Sequence, residues 1–245
     1  MILNEISKFT SIANQWWQKD GPFKMLHEIT PIRMKYITDN VASHFNIQES
    51  KNFRNAKKQN PFHNLEILDA GCGGGLLSLP LARLGAKVHG IDLGKENIEQ
   101  AVQESKKEGL NILFENIAVQ ALEERNKNYD LVICSEVLEH VDDPNEFINS
   151  LSKKIKNNGL LIVSTINRTK KSKLFAIYIA EYLLKIMPRG THSWDKFITP
   201  AEMRRYCAKA NLELIDSKGM IFDLFSKDWV LTDKMDVNYF MTFKK

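Results

Sequence analysis

The stretch LEILDAGCGGGLL, residues 65–77, decides the fold of this chain. Its first five residues are typical of a buried strand that ends at Asp69, and glycines follow directly from Gly71. Glycine adopts backbone conformations that other residues avoid and lets a ligand approach the main chain closely. The helix predicted over residues 76–84 would turn its free N–H groups towards that ligand. The stretch therefore predicts a strand, a ligand-binding turn and a helix.

Strands and helices alternate on the C-terminal side of this stretch. The strands that we predict there are 87–92, 112–115, 130–135, 160–165, 212–217 and 237–243. Between them we predict helices over 95–108, 144–156 and 200–210, and a turn at Asn157-Asn158-Gly159. Such alternation with short connections is typical of α/β proteins. We expect a Rossmann-like, doubly wound, seven-stranded and mostly parallel sheet.

The N-terminal side predicts a separate arrangement of helices. We divide the chain into an N-terminal helical cap with a basic loop, residues 1–62, and the α/β domain, residues 63–245. In the cap, apolar residues recur at helical spacing over 4–19, and Thr30-Pro31 is typical of the start of a second helix. In the domain, an apolar insertion at about 167–195 follows the fifth strand.

The composition excludes several classes of protein. The 245 residues carry a net charge of +4, with basic residues spread along the chain, so we expect no nucleic-acid partner. The three cysteines form no Cys-x-x-Cys pair, which disfavours a zinc site or a disulfide framework. The N-terminus lacks the pattern of a signal peptide, and no run approaches the ~18 apolar residues of a membrane span. We therefore expect a cytoplasmic protein.

The glycine spacing and two aspartates indicate the ligand. A dinucleotide fingerprint needs Gly-x-Gly-x-x-Gly, and its third glycine would fall on Leu76 or Ser78. Asp69 is placed to orient the loop or to meet a cationic group, and Asp92, at the end of the second strand, to accept ribose hydroxyls. These features favour S-adenosylmethionine, which carries a sulfonium and an amino group, over NAD. The alternative is a structural turn with two helix-capping aspartates.

Longer motifs resemble one family closely. Asp69-x-Gly71-x-Gly73 and Ile91-Asp92 look like the first two motifs of class I methyltransferases. The further motifs are Trp16-Trp17, the run from Gly21 to Arg33, Gly90-Ile91-Asp92-Leu93-Gly94, Glu136-Val137-Leu138-Glu139-His140-Val141, Ser164-Thr165-Ile166-Asn167-Arg168, Ala180-Glu181-Tyr182, the run from Pro188 to Glu202, and Asp236-Val237-Asn238-Tyr239. Over nearly the whole chain, the sequence resembles the bacterial ubiquinone-biosynthesis O-methyltransferases, with a departure at 48–64.

This resemblance implies an activity and a set of cofactor contacts. The implied enzyme transfers a methyl group from S-adenosylmethionine to a catechol hydroxyl of 2-polyprenyl-6-hydroxyphenol and 3-demethylubiquinol. The implied contacts are Arg33, Gly71, Asp92 and Ser135, beside Asp69 and Gly73 of the loop. Arg33 suits the methionine carboxylate, which a guanidinium can hold through two hydrogen bonds. At Ser135, which ends the fourth strand, we expect a backbone contact.

An acidic cluster with a histidine, Glu136, Glu139 and His140, follows the fourth strand at spacings that let side chains converge. The resemblance implies that it holds Mg²⁺ or another divalent cation, which would favour the catecholate and fix both oxygens. Without a metal, His140 is a candidate general base. The alternative is that the carboxylates cap the next segment and His140 lines the pocket.

Residues 173–187, KLFAIYIAEYLLKIM, are apolar almost all round and too short to span a bilayer. We expect this segment to rest on a membrane surface or to cover the pocket mouth, with a core helix as the alternative. The expected partners are the polyprenyl catechol, the inner face of the cytoplasmic membrane and other enzymes of ubiquinone biosynthesis. The alternative functions are a C-methyltransferase of a related quinone or lipid pathway and a noncatalytic cofactor-binding module.

Overall fold

A single eight-stranded sheet forms the centre of the computed structural model, which describes residues 10–47, 60–174 and 194–245. The strands are β1 (Glu66–Ala70), β2 (Lys87–Ile91), β3 (Leu113–Glu115), β4 (Tyr129–Ser135), β5 (Ile155–Ile166), β6 (Glu213–Asp223), β7 (Asp228–Thr232) and β8 (Asn238–Lys244). Their order is β3-β2-β1-β4-β5-β8-β6-β7. The first five strands are parallel and the last three are antiparallel to their neighbours. The predicted Rossmann-like, mostly parallel sheet is confirmed.

The sheet has one strand more than the predicted seven, and the additional strand is β7. It pairs with β6 at the edge of the sheet, from Gly219 opposite Thr232 to Asp223 opposite Asp228. Its sequence, DWVLT, is short and gives little periodicity of its own. The strand forms because β6 continues beyond the predicted residue 217 and offers unpaired backbone groups.

Helices cover both faces of this sheet. Those that bear on the site are α1 (Lys24–His44), α2 (Ser78–Arg83), α3 (Lys95–Lys107), α4 (Pro144–Lys153) and α5 (Pro200–Lys209). Side chains from α4 and α5 pack with Leu68 and Val132, whereas side chains from α1 and α2 pack with Ile67 and Leu131. Because successive strand residues point to opposite faces, these two cores lie on opposite sides of the sheet.

The start of α1 differs from the prediction at Thr30-Pro31. The helix begins at Lys24, and Pro31 lies inside it. A proline removes one helical hydrogen bond and costs about 3 kcal/mol in a helix interior. Burial of the apolar face of α1 against β1, β4 and β5 offsets that cost, so tertiary packing outweighs the local signal.

Two smaller predictions also differ. The helix predicted over 4–19 is represented, among its described residues, by turns and a short 3₁₀ helix at Ala13–Gln15. The turn predicted at Asn157-Asn158-Gly159 lies within β5, because Asn158 N donates to the carbonyl oxygen of Lys245 at 3.0 Å and Lys245 N to that of Gly159 at 3.1 Å. Asn158 has φ 63°, and the register with β4 shifts between Ile155 and Leu160, so the predicted turn is an irregularity within β5.

The apolar insertion falls largely outside the described residues, which omit 1–9, 48–59 and 175–193. Across the described parts of the chain, no helix has the length and apolar character needed to cross a membrane. The division at residues 62 and 63 stays a prediction, although α1 shares a core with the sheet.

Candidate active site

One cavity, of about 330 Å³, lies where β1, β2 and β4 end. Its wall includes all nine residues that the sequence singles out: Arg33, Asp69, Gly71, Gly73, Asp92, Ser135, Glu136, Glu139 and His140. The doubly wound topology explains this convergence, since the carboxyl ends of parallel strands meet at one edge of the sheet.

The glycine loop is fixed between two neighbouring segments. Gly71 has φ +76°, and a Cβ atom there would lie 2.3 Å from Cγ2 of Val137. Gly73 has φ +53°, and its Cβ would lie 2.7 Å from the Trp16 ring. Both positions therefore need glycine, for backbone conformation and for space. Gly71 N donates to the carbonyl oxygen of Ile91 at 2.8 Å, which ties the loop to the end of β2.

Asp69 lies buried below this loop. Its Oδ2 accepts a hydrogen bond of 2.5 Å from Oγ of Ser78, the first residue of α2. Burial raises the pKa of Asp69 to about 6, while the hydrogen bond from Ser78 lowers it and the nearby Asp92 carboxylate raises it further. Burial thus disfavours the ionised carboxylate, and a cationic neighbour would stabilise it.

Asp92 connects the loop to the start of α3. Its Oδ2 accepts from Gly73 N at 3.0 Å, and its Oδ1 accepts from Gly94 N at 2.7 Å and from Asn97 Nδ2 at 3.1 Å. Burial raises the pKa of this carboxyl, and the three hydrogen bonds oppose that shift. The carboxylate is thus held in one orientation at the cavity wall.

The N-terminal segment covers the same loop. The Trp16 indole stacks on Phe23 with ring centroids 3.8 Å apart, and its Nε1 donates to Oδ1 of Asn97 at 2.8 Å. The Trp17 Nε1 donates to the carbonyl oxygen of Gly74 at 3.1 Å. Both tryptophans therefore contact the glycine loop, and Trp16 also lines the cavity. Asn97 is a site residue that the sequence analysis missed, and its position in the first turn after Asp92 is the signal that marks it.

Arg33 is a buried guanidinium with unused hydrogen-bond donors. Its Nη2 lies 3.2 Å from Oε1 of Glu136, which is close enough for an ion pair but is not aligned for a hydrogen bond. Its Nε also lacks a hydrogen-bond partner among the described residues. Buried donors without partners are uncommon and costly, so this guanidinium suits an anionic ligand in the cavity.

Glu136 adopts a strained conformation just after β4. Its φ of 55° lies in the left-handed region, which costs a residue other than glycine about 1–3 kcal/mol. Its Oε1 accepts from Oγ of Ser164 at 3.2 Å, and that hydroxyl also contacts Oγ of Ser135 at 2.7 Å. The strain turns the Glu136 carboxylate towards Arg33 and the end of β5.

Glu139 is a buried carboxylate with one free oxygen. Its Oε2 accepts a hydrogen bond of 2.8 Å from Oγ1 of Thr165 on β5, while its Oε1 lacks a partner among the described residues. Burial raises the pKa of Glu139 to about 7, and the Glu136 carboxylate adds to the shift. The side chain is therefore able to exchange a proton near neutral pH.

The metal site predicted at Glu136, Glu139 and His140 does not fit this arrangement. Among the described residues, no three His, Cys, Asp or Glu side chains are grouped as ligands of one ion. Residues Leu138–His140 form a 3₁₀ helix, and Glu136 just before it has a left-handed backbone. The spacing rule for an α-helical face therefore does not apply here.

Comparisons with known proteins show the family of this chain. The chain matches the family described as "Methyltransferase domain" over residues 35–217. It is 43% identical over 241 residues to the ubiquinone biosynthesis O-methyltransferase of Pelagibacter ubique (strain HTCC1062), which covers 98% of this chain and 97% of the relative. The chain belongs to the ubiquinone biosynthesis O-methyltransferase family. A second member, from Dinoroseobacter shibae, is 41% identical over 237 residues, covering 96% of this chain and 93% of that protein.

Solved structures share the fold of this family member. The chain aligns with magnesium protoporphyrin IX methyltransferase from Synechocystis PCC 6803 with bound SAH at a TM-score of 0.55, with 20% identity and 84% of each chain covered. A SAM-dependent methyltransferase from Methanosarcina mazei also gives 0.55, with 20% identity over 75% of this chain and 93% of that one. These identities establish the fold alone.

S-adenosylmethionine is the cofactor of this chain, as its membership of a methyltransferase family indicates. The described residues fit that molecule. The Arg33 donors that lack a hydrogen bond among the described residues suit a carboxylate, the glycine loop leaves room at the main chain, and the Asp92 carboxylate suits hydroxyl groups.

Proposed function

We propose that this chain methylates a catechol hydroxyl of the polyprenyl intermediates 2-polyprenyl-6-hydroxyphenol and 3-demethylubiquinol. One observation carries the proposal beyond family membership: a single cavity of about 330 Å³ is lined by both the glycine loop and the buried Glu139. A methyl donor at the loop and a proton acceptor at Glu139 would therefore face the same acceptor molecule.

The cofactor half of the cavity holds S-adenosylmethionine through three kinds of contact. Arg33 binds the methionine carboxylate with Nε and Nη2, which lack hydrogen-bond partners among the described residues. Asp92 accepts hydrogen bonds from the ribose hydroxyls, and the Asp69 carboxylate stabilises the cationic part of the ligand. Gly71 and Gly73 allow close approach at the main chain, and Ser135 contributes a backbone contact.

The acceptor half supports proton removal from the catechol. The hydroxyl oxygen attacks the methyl carbon, the carbon–sulfur bond breaks, and its electron pair stays on sulfur, which leaves as neutral S-adenosylhomocysteine. The hydroxyl proton passes to the carboxylate of Glu139, a residue of the cavity wall whose Oε1 lacks a hydrogen-bond partner among the described residues. His140, a cavity residue, orients the catechol and is the second candidate for this proton.

A divalent cation at Glu136, Glu139 and His140 stays a prediction from resemblance. The arrangement of these side chains does not support it, and the proton transfer described above needs only protein groups. Exhaustive chelation, followed by an assay with and without added Mg²⁺, tests the point. Activity that disappears with chelation and returns with Mg²⁺ would restore the predicted metal site.

The location of the protein follows from the proposed substrate. A polyprenyl chain partitions into the bilayer, so we propose that the enzyme works at the inner face of the cytoplasmic membrane, beside other enzymes of ubiquinone biosynthesis. Cell fractionation in low and high salt, with and without the other pathway enzymes, tests this arrangement.

The decisive experiment for the activity is methyl transfer from labelled S-adenosylmethionine to short-chain analogues of both catechols. We expect label on one oxygen, and mass fragmentation distinguishes this product from a C-methylated ring. Glu139→Gln serves as the inactive control. Absence of transfer to either analogue, or label on carbon, would overturn the proposed reaction.

A further inference from the structure

The β6–β7 hairpin exposes several large apolar side chains at its tip. Leu224 is 79% exposed and Phe225 is 99% exposed, and Phe222, just before them, is 47% exposed. Single exposed apolar residues are ordinary, whereas three large ones within four positions are typical of a surface that contacts something else. We call Leu224 and Phe225 the hairpin tip.

The tip has a defined conformation. The Asp223 carboxylate accepts hydrogen bonds from Phe225 N at 3.0 Å and from Oγ of Ser226 at 2.9 Å. These two bonds lower the pKa of Asp223, so the carboxylate that makes them is ionised at neutral pH. The turn therefore holds the two apolar side chains outward, away from the core.

An apolar surface connects the tip with the cavity. Phe222 lies directly opposite Trp229 in the hairpin, and their rings meet edge to face with centroids 5.6 Å apart. Trp229 and Met220, which lie on the two strands of this hairpin, both line the cavity. The surface thus runs from the cavity wall through Phe222 to the tip.

We propose that the hairpin tip inserts into the apolar layer of a lipid bilayer and so places the cavity at the membrane surface. The inference rests on the proposed function, since it takes the substrate to carry a polyprenyl tail. A cavity of about 330 Å³ is at the lower end of the ~300–1,000 Å³ range of ligand pockets, so the cofactor and the catechol ring fill it. The polyprenyl tail therefore has to extend out of the cavity. The apolar surface through Phe222 would contact the tail between the cavity and the hairpin tip.

The charges beside the tip favour insertion over electrostatic attraction. Asp223 and Asp228 flank the turn, and Lys227 is its one basic residue. Acidic side chains there would repel an anionic headgroup, whereas Leu224 and Phe225 gain from leaving water whatever the headgroup charge. The bilayer contact is therefore apolar in character.

The experiment compares vesicle binding of two matched variants of the full chain. L224S/F225S removes the apolar tip, and L113S removes a half-exposed leucine from β3, at the opposite edge of the sheet. Co-sedimentation with phosphatidylcholine vesicles should show binding by the unmodified protein and by L113S. For L224S/F225S we expect a partition coefficient lower by about tenfold or more. The difference should persist in high salt, because apolar burial is not screened.

Activity separates this proposal from the proposed function. Methylation of a water-soluble short-chain catechol should be equal in all three proteins, and methylation of a long-chain substrate in vesicles should be slower in L224S/F225S. Failure of the unmodified protein to methylate the soluble catechol would overturn the function, while vesicle binding would still test the tip. The insertion proposal is overturned if the unmodified protein binds no vesicles, if L224S/F225S binds them equally, or if the double variant alters the oligomeric state without lipid.

Discussion

The indole Nε1 of Trp16 donates a hydrogen bond of 2.8 Å to Oδ1 of Asn97, and Nδ2 of the same amide donates one of 3.1 Å to Oδ1 of Asp92. The two bonds fix the amide orientation, since its oxygen accepts and its nitrogen donates. Trp16 lies 81 positions before Asn97 in the chain. Through this amide it orients the Asp92 carboxylate, which faces the ribose in the proposed complex. Trp16 is in this sense a positioning residue for the cofactor.

The first prediction concerns Trp16→Phe, which keeps an aromatic ring on the glycine loop and removes the N–H donor. One buried hydrogen bond contributes about 0.5–1.5 kcal/mol of free energy, which the variant would lose. We therefore expect S-adenosylmethionine to bind about threefold to tenfold more weakly, with kcat nearly unchanged, as measured by calorimetry and steady-state kinetics.

A double-mutant cycle tests whether Trp16 acts through Asn97. Trp16→Phe should add nothing to the loss already caused by Asn97→Ala, because the same bond is gone in both. Trp194→Phe is the matched control, since its indole donates to the carbonyl oxygen of Thr169 at 3.0 Å and does not line the cavity. Additive losses would contradict the role of the amide.

The second prediction uses Arg33→Lys, which keeps the positive charge beside Glu136 and removes the planar fork of donors. Binding of S-adenosylhomocysteine, which carries a carboxylate, should weaken by about tenfold or more, since hydrogen bonds to charged groups are the stronger kind. Methylthioadenosine lacks that carboxylate and should bind equally well to both proteins. Equal losses for the two ligands would place the carboxylate elsewhere, and the melting temperature of the variant controls for misfolding.

The sequence predicts which residues meet at the cavity better than it predicts how their side chains are held. Asp69, Asp92 and Ser135 end parallel strands, and strand ends converge in this fold. The sequence does not predict the roles of Asn97 and Thr165, because an amide in a helix and a hydroxyl in a strand are ordinary features until a neighbour is known. Their partners come from distant segments, which sequence spacing does not connect.

The acidic cluster shows why spacing alone misleads. The prediction that Glu136, Glu139 and His140 share a face assumes α-helical geometry, whereas this segment is a left-handed residue followed by a 3₁₀ helix. The two carboxylates contact different partners, Arg33 for Glu136 and Thr165 for Glu139. Pro31 is a similar case. Its local signal predicts a helix start, but tertiary burial of α1 stabilises a helix that begins at Lys24 and contains Pro31.

The third prediction concerns the pH dependence of cofactor binding. Burial raises the pKa of Asp69 to about 6, above its ordinary value. A cationic ligand favours the ionised form, so binding at a pH near 6 should release a proton, and affinity should fall as the pH drops below about 6. Calorimetry from about pH 5 to about pH 7.5, in buffers of different ionisation enthalpy, measures both effects.

Asp69→Asn is the control for this titration and should abolish both the proton release and the fall in affinity below pH 6. The raised pKa of Asp69 also makes the stability of the folded protein depend on pH. Because the folded pKa is raised, burial of ionised Asp69 destabilises the protein above about pH 6, and that cost disappears as the pH falls towards the unfolded value. If the affinity of Asp69→Asn keeps the original pH profile, Asp69 is not the group that titrates when the cofactor binds.

The last prediction concerns Thr165, whose Oγ1 donates a hydrogen bond of 2.8 Å to Oε2 of Glu139. A donor to a carboxylate stabilises its ionised form, so this bond lowers the pKa of Glu139 against the burial that raises it to about 7. Thr165→Val removes the donor at nearly constant volume and should raise that pKa. If Glu139 accepts the catechol proton in its ionised form, the acidic limb of the kcat profile should move up by about one pH unit, with the affinity for S-adenosylmethionine unchanged.

Thr242→Val is the matched control for that variant. Thr242 is also a buried threonine in the sheet, and its Oγ1 donates to the Tyr36 hydroxyl at 3.0 Å, within the core. The control should lose stability comparable to Thr165→Val because each loses one buried hydrogen bond, about 1 kcal/mol. It should leave the pH profile of kcat in place, since it contacts no titrating group of the site. A limb that shifts equally in both variants would mean that stability, rather than the Glu139 carboxyl, sets the profile.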